Sequence, residues 1–123
     1  MLIRDIATYT HERVIDQSLL VELLHPDKVP DAAGLSCSVA HAIVHPGEST
    51  LPHVLDRSTE LYYILGGSGE MHIGSEQAPV RPGQLVHIPP GARQFIRNSG
   101  TDDLVFLCIV APKWQADDER LVR

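Results

Sequence analysis

Short runs of alternating apolar and polar positions, cut by glycine and proline, dominate the chain. In LSCSVAHAIV (35–44), Val39, His41 and Ile43 share one face and Ala40, Ala42 and Val44 the other, the period of a strand. ELYYIL (60–65), GEMHIG (69–74) and LVHIP (85–89) read the same way. DLVFLCIV (103–110) is the most continuously apolar segment and predicts a strand buried on both faces. LLVELL (19–24) predicts a strand stopped at His25-Pro26, because a residue before proline avoids helical angles. DKVPDAAG (27–34) is a loop rich in turn formers, and QAPVRPG (77–83) brings the chain round to the next strand. A short opening strand or arm is expected near Leu2–Ile6, with Val14 and Ile15 packing on the body and residues 1–24 forming an N-terminal arm. WQADDERLVR (114–123) reads as a helical turn or a frayed end, with Trp114 capping an edge of the core. No long helical period interrupts this pattern, which predicts an all-β sandwich or barrel.

The 123 residues suit one domain, 1–123, with a core of its own. With 43% apolar against 21% charged residues, the composition is that of a folded globular chain. A net charge of −6 argues against nucleic acid as a partner. Arg81, Arg93 and Arg97 surround the stretch 83–98, where they either attract an anionic ligand or stay solvated. Cys37 and Cys108 sit in apolar surroundings and read as free thiols of a reducing compartment. No apolar run approaches the roughly 20 residues of a membrane span. The first residues also lack a signal-peptide pattern, so a cytoplasmic protein without membrane contact is expected.

Two stretches share one grammar of glycine turn, short β-rich segment, tight corner and polar residue entering the next strand. The first is PGESTLPHVLDRSTELYYILGG (46–67) and the second GQLVHIPPGARQFIRN (83–98). Their spacings resemble the two motifs of the cupin family. Gly47, His53, Glu60 and Gly67 fall on the first motif, and Gly83, Pro89, Gly91 and Asn98 on the second. The resemblance implies a double-stranded β-helix, the jelly-roll cupin barrel, spanning the chain as a single domain.

It also implies a divalent transition metal (zinc, manganese, iron or nickel) inside the barrel, held by two histidines and a glutamate of the first motif and a histidine of the second. Only His53 and Glu60 of that set are kept here. Leu55 stands at the second histidine position and Gln94 at the last. The candidate metal ligands are therefore His53, Glu60 and Gln94. Amide oxygen is a poor third ligand for zinc, so water or another histidine would have to complete the shell. His45, His72 and His87 are the spare histidines. His72 and His87 alternate with apolar neighbours and should point away from the core if those neighbours point in.

Glu60 and Tyr62 share a face by parity and are the candidate catalytic residues, while Tyr63 belongs to the opposite face. Two functions stay open. One is a metal-assisted small cupin acting on an oxygen-rich small molecule by isomerase- or lyase-like chemistry, such as proton abstraction beside a carbonyl. The other is a metal-free, non-catalytic barrel that binds or senses a small molecule. In that reading His53 is a hydrogen-bonded pocket histidine and Glu60 a neutralised buried carboxyl. The resemblance and the apolar arm together imply a homodimer.

Overall fold

The computed structural model describes residues 1–123. Eleven strands in chain order build two antiparallel sheets: β1 (Glu12–Arg13), β2 (Leu19–Leu24), β3 (Ser38–Val44), β4 (His53–Leu55), β5 (Thr59–Gly66), β6 (Gly69–Ile73), β7 (Glu76–Val80), β8 (Leu85–Ile88), β9 (Gln94–Asn98), β10 (Leu104–Ala111) and β11 (Glu119–Leu121). One sheet runs β1-β2-β3-β10-β5-β8 and the other β11-β4-β9-β6-β7. Consecutive strands repeatedly cross from one sheet to the other, which is the jelly-roll barrel expected from the alternation. No helix is long and apolar enough to cross a membrane.

The period-two pattern decides what faces inward. Along β5, Glu60, Tyr62 and Ile64 are buried while Tyr63 and Leu65 are exposed. Ala42 and Val44 of β3, Met71 of β6 and Ile96 of β9 join Tyr62, Ile64 and Phe106 in one core cluster. The central strand β10 buries Leu104, Phe106, Cys108 and Val110 but leaves Val105, Leu107 and Ile109 only half-buried. It is therefore buried on one face, not both, because no second layer of this chain covers the outside of the six-stranded sheet. Gly67 ends the first motif at φ 78°, where a Cβ would lie 2.3 Å from the Asp103 carbonyl oxygen. Only glycine fits that corner.

Three segments depart from the sequence reading. Residues 76–80, expected as part of a connection, form β7 and pair with β6 across the Gly74–Ser75 turn. Pro79 hides this strand in the sequence but is tolerated because β7 is a sheet edge, where a missing N–H costs no ladder bond. At the start of the chain there is no strand over 2–6. A single 3-10 turn, Ile6–Thr8, is capped instead by the Asp5 side chain, which accepts from Ala7 N at 2.9 Å. Ile15 stays exposed and Val14 half-buried, so the arm packs less than its hydropathy suggests.

The segment after Trp114 is neither frayed nor helical beyond one 3-10 turn, Ala116–Asp118. It continues as β11, antiparallel to β4, with Glu119 opposite Leu55 and Leu121 opposite His53. Asp118 anchors it. This carboxylate is 2% exposed and accepts from Arg57 N at 2.7 Å and Ser58 N at 3.1 Å. Asp118→Ala should leave both donors without a partner and cost about 2–4 kcal/mol in urea unfolding, since each orphaned buried donor carries roughly 1–3 kcal/mol. Asp118→Asn, whose amide oxygen still accepts, should cost less.

Candidate functional site

The three-residue strand β4 carries His53 into the interior, where it is 1% exposed. Its Nδ1 lies 2.6 Å from the Leu51 carbonyl oxygen. A carbonyl only accepts, so Nδ1 holds a hydrogen, and in the neutral ring Nε2 is left as the basic nitrogen. Nε2 comes within 3.7 Å of Asp16 Oδ2, too far for a hydrogen bond. Gln94, on β9, is the register partner of His53 and is equally buried. Glu60 and Tyr62 enter from the opposite sheet, two positions apart on the inward face of β5.

A relay of hydrogen bonds joins these side chains. The Tyr62 hydroxyl donates to Gln94 Oε1 at 3.1 Å, and Gln94 Nε2 donates to Glu60 Oε1 at 2.9 Å. Burial pushes Glu60 up from 4.5 to about 8; the bond from Gln94 opposes the rise, and the nearby charges of Glu119 and Asp16 add to it. At neutral pH Glu60 is consequently a carboxylic acid rather than a carboxylate. Burial first, and then the Glu60 charge, holds the Tyr62 hydroxyl well above its ordinary range.

A cavity of about 530 Å³ opens over this layer, with His53, Glu60, Tyr62, Asp16, Glu119 and Trp114 on its walls. Asp16, Glu119 and the part played by Trp114 escape the sequence reading. Asp16 sits in the turn before β2, its Oδ1 accepting from Ser18 N at 2.9 Å and Ser18 Oγ at 2.7 Å. Leu51 N donates to its carbonyl at 2.7 Å, which seats this turn beside β4. Glu119 comes from β11 and accepts from Trp114 Nε1 at 3.2 Å. Its carboxyl is raised by burial first, against the pull of His53, with Asp16 raising it further. The Asp-x-Ser pattern of 16–18 signals a turn. Nothing local in the sequence says that the turn closes over His53.

The structure thus gathers His53, Glu60, Gln94 and Tyr62 in one interior layer. Gln94 is not on the cavity wall, however, and both ends of its amide are committed to Tyr62 and Glu60. Its oxygen is bonded to a hydroxyl instead of being offered as a third metal ligand. Leu55 is buried and supplies no donor. The spare histidines do not complete a shell. His45 is bonded to Asp103 at 2.8 Å, His72 stacks on Phe95 with ring centroids 4.2 Å apart, and His87 is exposed. No three His, Cys, Asp or Glu side chains are arranged to hold a metal ion. The donor set does not fit the transition metal that the motifs imply. Arg81 and Arg97 are exposed, Arg93 lies over Phe95 at 5.5 Å, and none of the three lines the cavity.

Two antiparallel sheets closed over an internal, side-chain-lined cavity define a small jelly-roll barrel. Residues 40–110 match the Cupin domain family, and the chain belongs to it. An uncharacterized protein of Methanocaldococcus jannaschii is 37% identical over 107 residues, 87% of this chain and 83% of that protein. An oxalate-binding protein of Thermotoga maritima is 34% identical over 65 residues, 53% of this chain and 54% of that protein. Among solved structures, a predicted oxalate decarboxylase of T. maritima superposes with a TM-score of 0.78 at 24% identity, over 90% of this chain and 99% of that one. That last likeness concerns the fold alone.

The raised Glu60 has a thermodynamic signature. Below about pH 4.5 folded and unfolded chains both carry this proton, and its contribution to stability is fully present. Between 4.5 and about 8 only the folded state keeps it, so stability falls by about 1.4 kcal/mol per pH unit. Glu60→Gln should abolish that slope and gain on the parent by a few kcal/mol (of order 4 in all) as pH rises through the window. Urea unfolding at pH 5, 6.5 and 8 measures it; a difference that does not change with pH would mean an ordinary Glu60.

Proposed function

We propose that the cavity binds an oxygen-bearing small molecule and moves protons on it without a metal, with His53 as base and Glu60 as acid. The observation that carries this reading is the pairing, in one cavity, of an imidazole whose Nδ1–H is pinned to a carbonyl with a carboxyl that burial keeps protonated. Base and acid of opposite protonation state at one pH are what abstraction of a proton beside a carbonyl requires. Nε2 of His53 takes the proton from carbon while Glu60 gives its own to the carbonyl oxygen, producing an enediol or enol. His53 then returns its proton to the former carbonyl carbon while the neighbouring hydroxyl gives its proton to Glu60, which completes an isomerisation. Alternatively, a β-substituent leaves with its bonding electrons and the His53 proton while the enol O–H returns its proton to Glu60, which completes an elimination. Tyr62, already donating to Gln94, positions Glu60 through that amide rather than touching substrate.

Dihydroxyacetone and glyceraldehyde in D₂O with EDTA test the chemistry directly. The protein should exchange their α-hydrogens for deuterium, and the rate should fall above about pH 8 as Glu60 loses its proton. His53→Ala should slow exchange by roughly 10²-fold or more, the usual worth of a positioned base. A second reading, a binding barrel without turnover, is favoured by one specific observation: hydrocarbon at Leu55 and a closed amide at Gln94 occupy the two ligand positions. Ligand-induced change at Trp114 without any exchange on such carbonyl compounds would select it.

We also propose that two copies pair through the outside of the six-stranded sheet. His41, Leu107, Tyr63 and Leu85 are consecutive cross-strand neighbours there, and Leu85 is 60% exposed. His41 is capped by His11 at 2.9 Å, and the Leu107–Tyr63–Leu85 part of the row is apolar and partly open, as is usual for an interface rather than a solvated face. Sedimentation should give a dimer at micromolar concentration and a monomer for Leu85→Glu; a parent monomer would dismiss the pairing.

A further inference from the structure

We infer that the occupant of the cavity carries a positive charge: a small organic ammonium compound rather than an anion. This rests on the small-molecule reading of the cavity and goes on to its ligand class. The carboxyl groups lining the cavity are Glu12, Asp16, Glu22, Glu60 and Glu119, of which Glu60 keeps its proton and adds no negative charge. Against them stand His53 and Lys28, and Lys28 is already spent on Glu22 at 2.5 Å. No arginine reaches the wall.

The excess is concentrated beside His53. Asp16 has a side chain only 10% exposed, and its Oδ1 takes both bonds from Ser18. Its Oδ2 has no hydrogen-bond donor, the nearest approach being His53 Nε2 at 3.7 Å. Glu119 is similar, with one oxygen on the Trp114 indole at 3.2 Å and no bond recorded at the other. Two carboxyl groups on the cavity wall thus each keep an oxygen free of hydrogen bonds, and the His53 imidazole is the one nitrogen base on that wall not already paired to a carboxylate within hydrogen-bond reach. Buried charge without a counter-ion is costly, and a cationic guest supplies the counter-ion.

The remaining walls suit the same guest. Trp114 and Phe106 border the cavity, and the hydrogen bond to Glu119 holds the indole in place. Aromatic faces attract ammonium groups, most strongly where water is excluded. Three donors able to hold a metal ion are not assembled here, so the fit is to a diffuse organic cation. A dicarboxylate such as oxalate would meet Asp16 and Glu119 head-on with no guanidinium to receive it.

Trp114 is the single tryptophan and stands on the cavity wall, so its indole N–H resonance reports occupancy. The full-length ¹⁵N-labelled chain is titrated, with EDTA present, against tetramethylammonium, neopentyl alcohol and pivalate, compounds of similar bulk that are cationic, neutral and anionic. Tetramethylammonium should saturate the Trp114 shift at concentrations at least about tenfold below those of neopentyl alcohol, and pivalate should bind more weakly still. In the Asp16→Asn, Glu119→Gln double variant the preference for the cation should fall to the level of the neutral compound. Pivalate binding as well as tetramethylammonium would overturn the inference, as would a cation preference that survives the double substitution. Saturation by neopentyl alcohol alone would remove the charge assignment and leave the small-molecule cavity standing. If none of the three moves the indole, both readings fall together.

Discussion

A carboxyl group taken out of water must find a cation, collect donors or keep its proton, and in this barrel the choice falls on the proton. Glu60 stands on the inward face of β5 beside Tyr62 and Ile64, with one amide donor to its carboxyl group. The chemistry of the interior follows from that desolvation. Gln94 gives its N–H₂ to Glu60 and its oxygen to Tyr62, so both ends of the amide are engaged within the layer. With His53 held on the Leu51 carbonyl, the layer is a set of mutually engaged side chains rather than a ring of metal donors, and the proposed acid and base are read from it.

Much of the frame was legible before any coordinates. The inward faces of β3, β5 and β10 are the alternations of 38–44, 59–66 and 104–111, because period two survives wherever one face of a sheet is packed. Tyr62 against Tyr63, and the outward turn of His72 and His87, follow from the same rule. The two cupin-like spacings located the barrel, since their glycines stand at backbone corners such as Gly67 that exclude other residues. Where the pattern misled, a long-range contact had replaced it. Pro79 is harmless at an edge the sequence does not reveal, and β11 exists only because β4 offers it a partner.

The candidate site was half legible. His53, Glu60, Tyr62 and Gln94 lie on regular strands whose parity can be counted. Asp16 and Glu119 come from a turn and a three-residue strand that acquire meaning only when they fold against β4. Of the two readings of Arg81, Arg93 and Arg97, the anion-attracting one finds no support at the cavity: they cluster in sequence around the second motif but lie outside it. Within the cupin family, this chain keeps the scaffold and the first-motif pair while Leu55 and Gln94 divert the donors that remain.

Two of the cavity's lining carboxyl groups come from segments with little strand pairing of their own. The turn that carries Asp16 follows the two-residue strand β1, and Glu119 opens the three-residue strand β11. Segments held by so few ladder bonds come loose at far lower free energy than the central strands β3, β10 and β5. By that ladder count, the wall carrying Asp16 and Glu119 is the side of the cavity with the least strand pairing, while Glu60 and Tyr62 sit on the long, doubly paired β5.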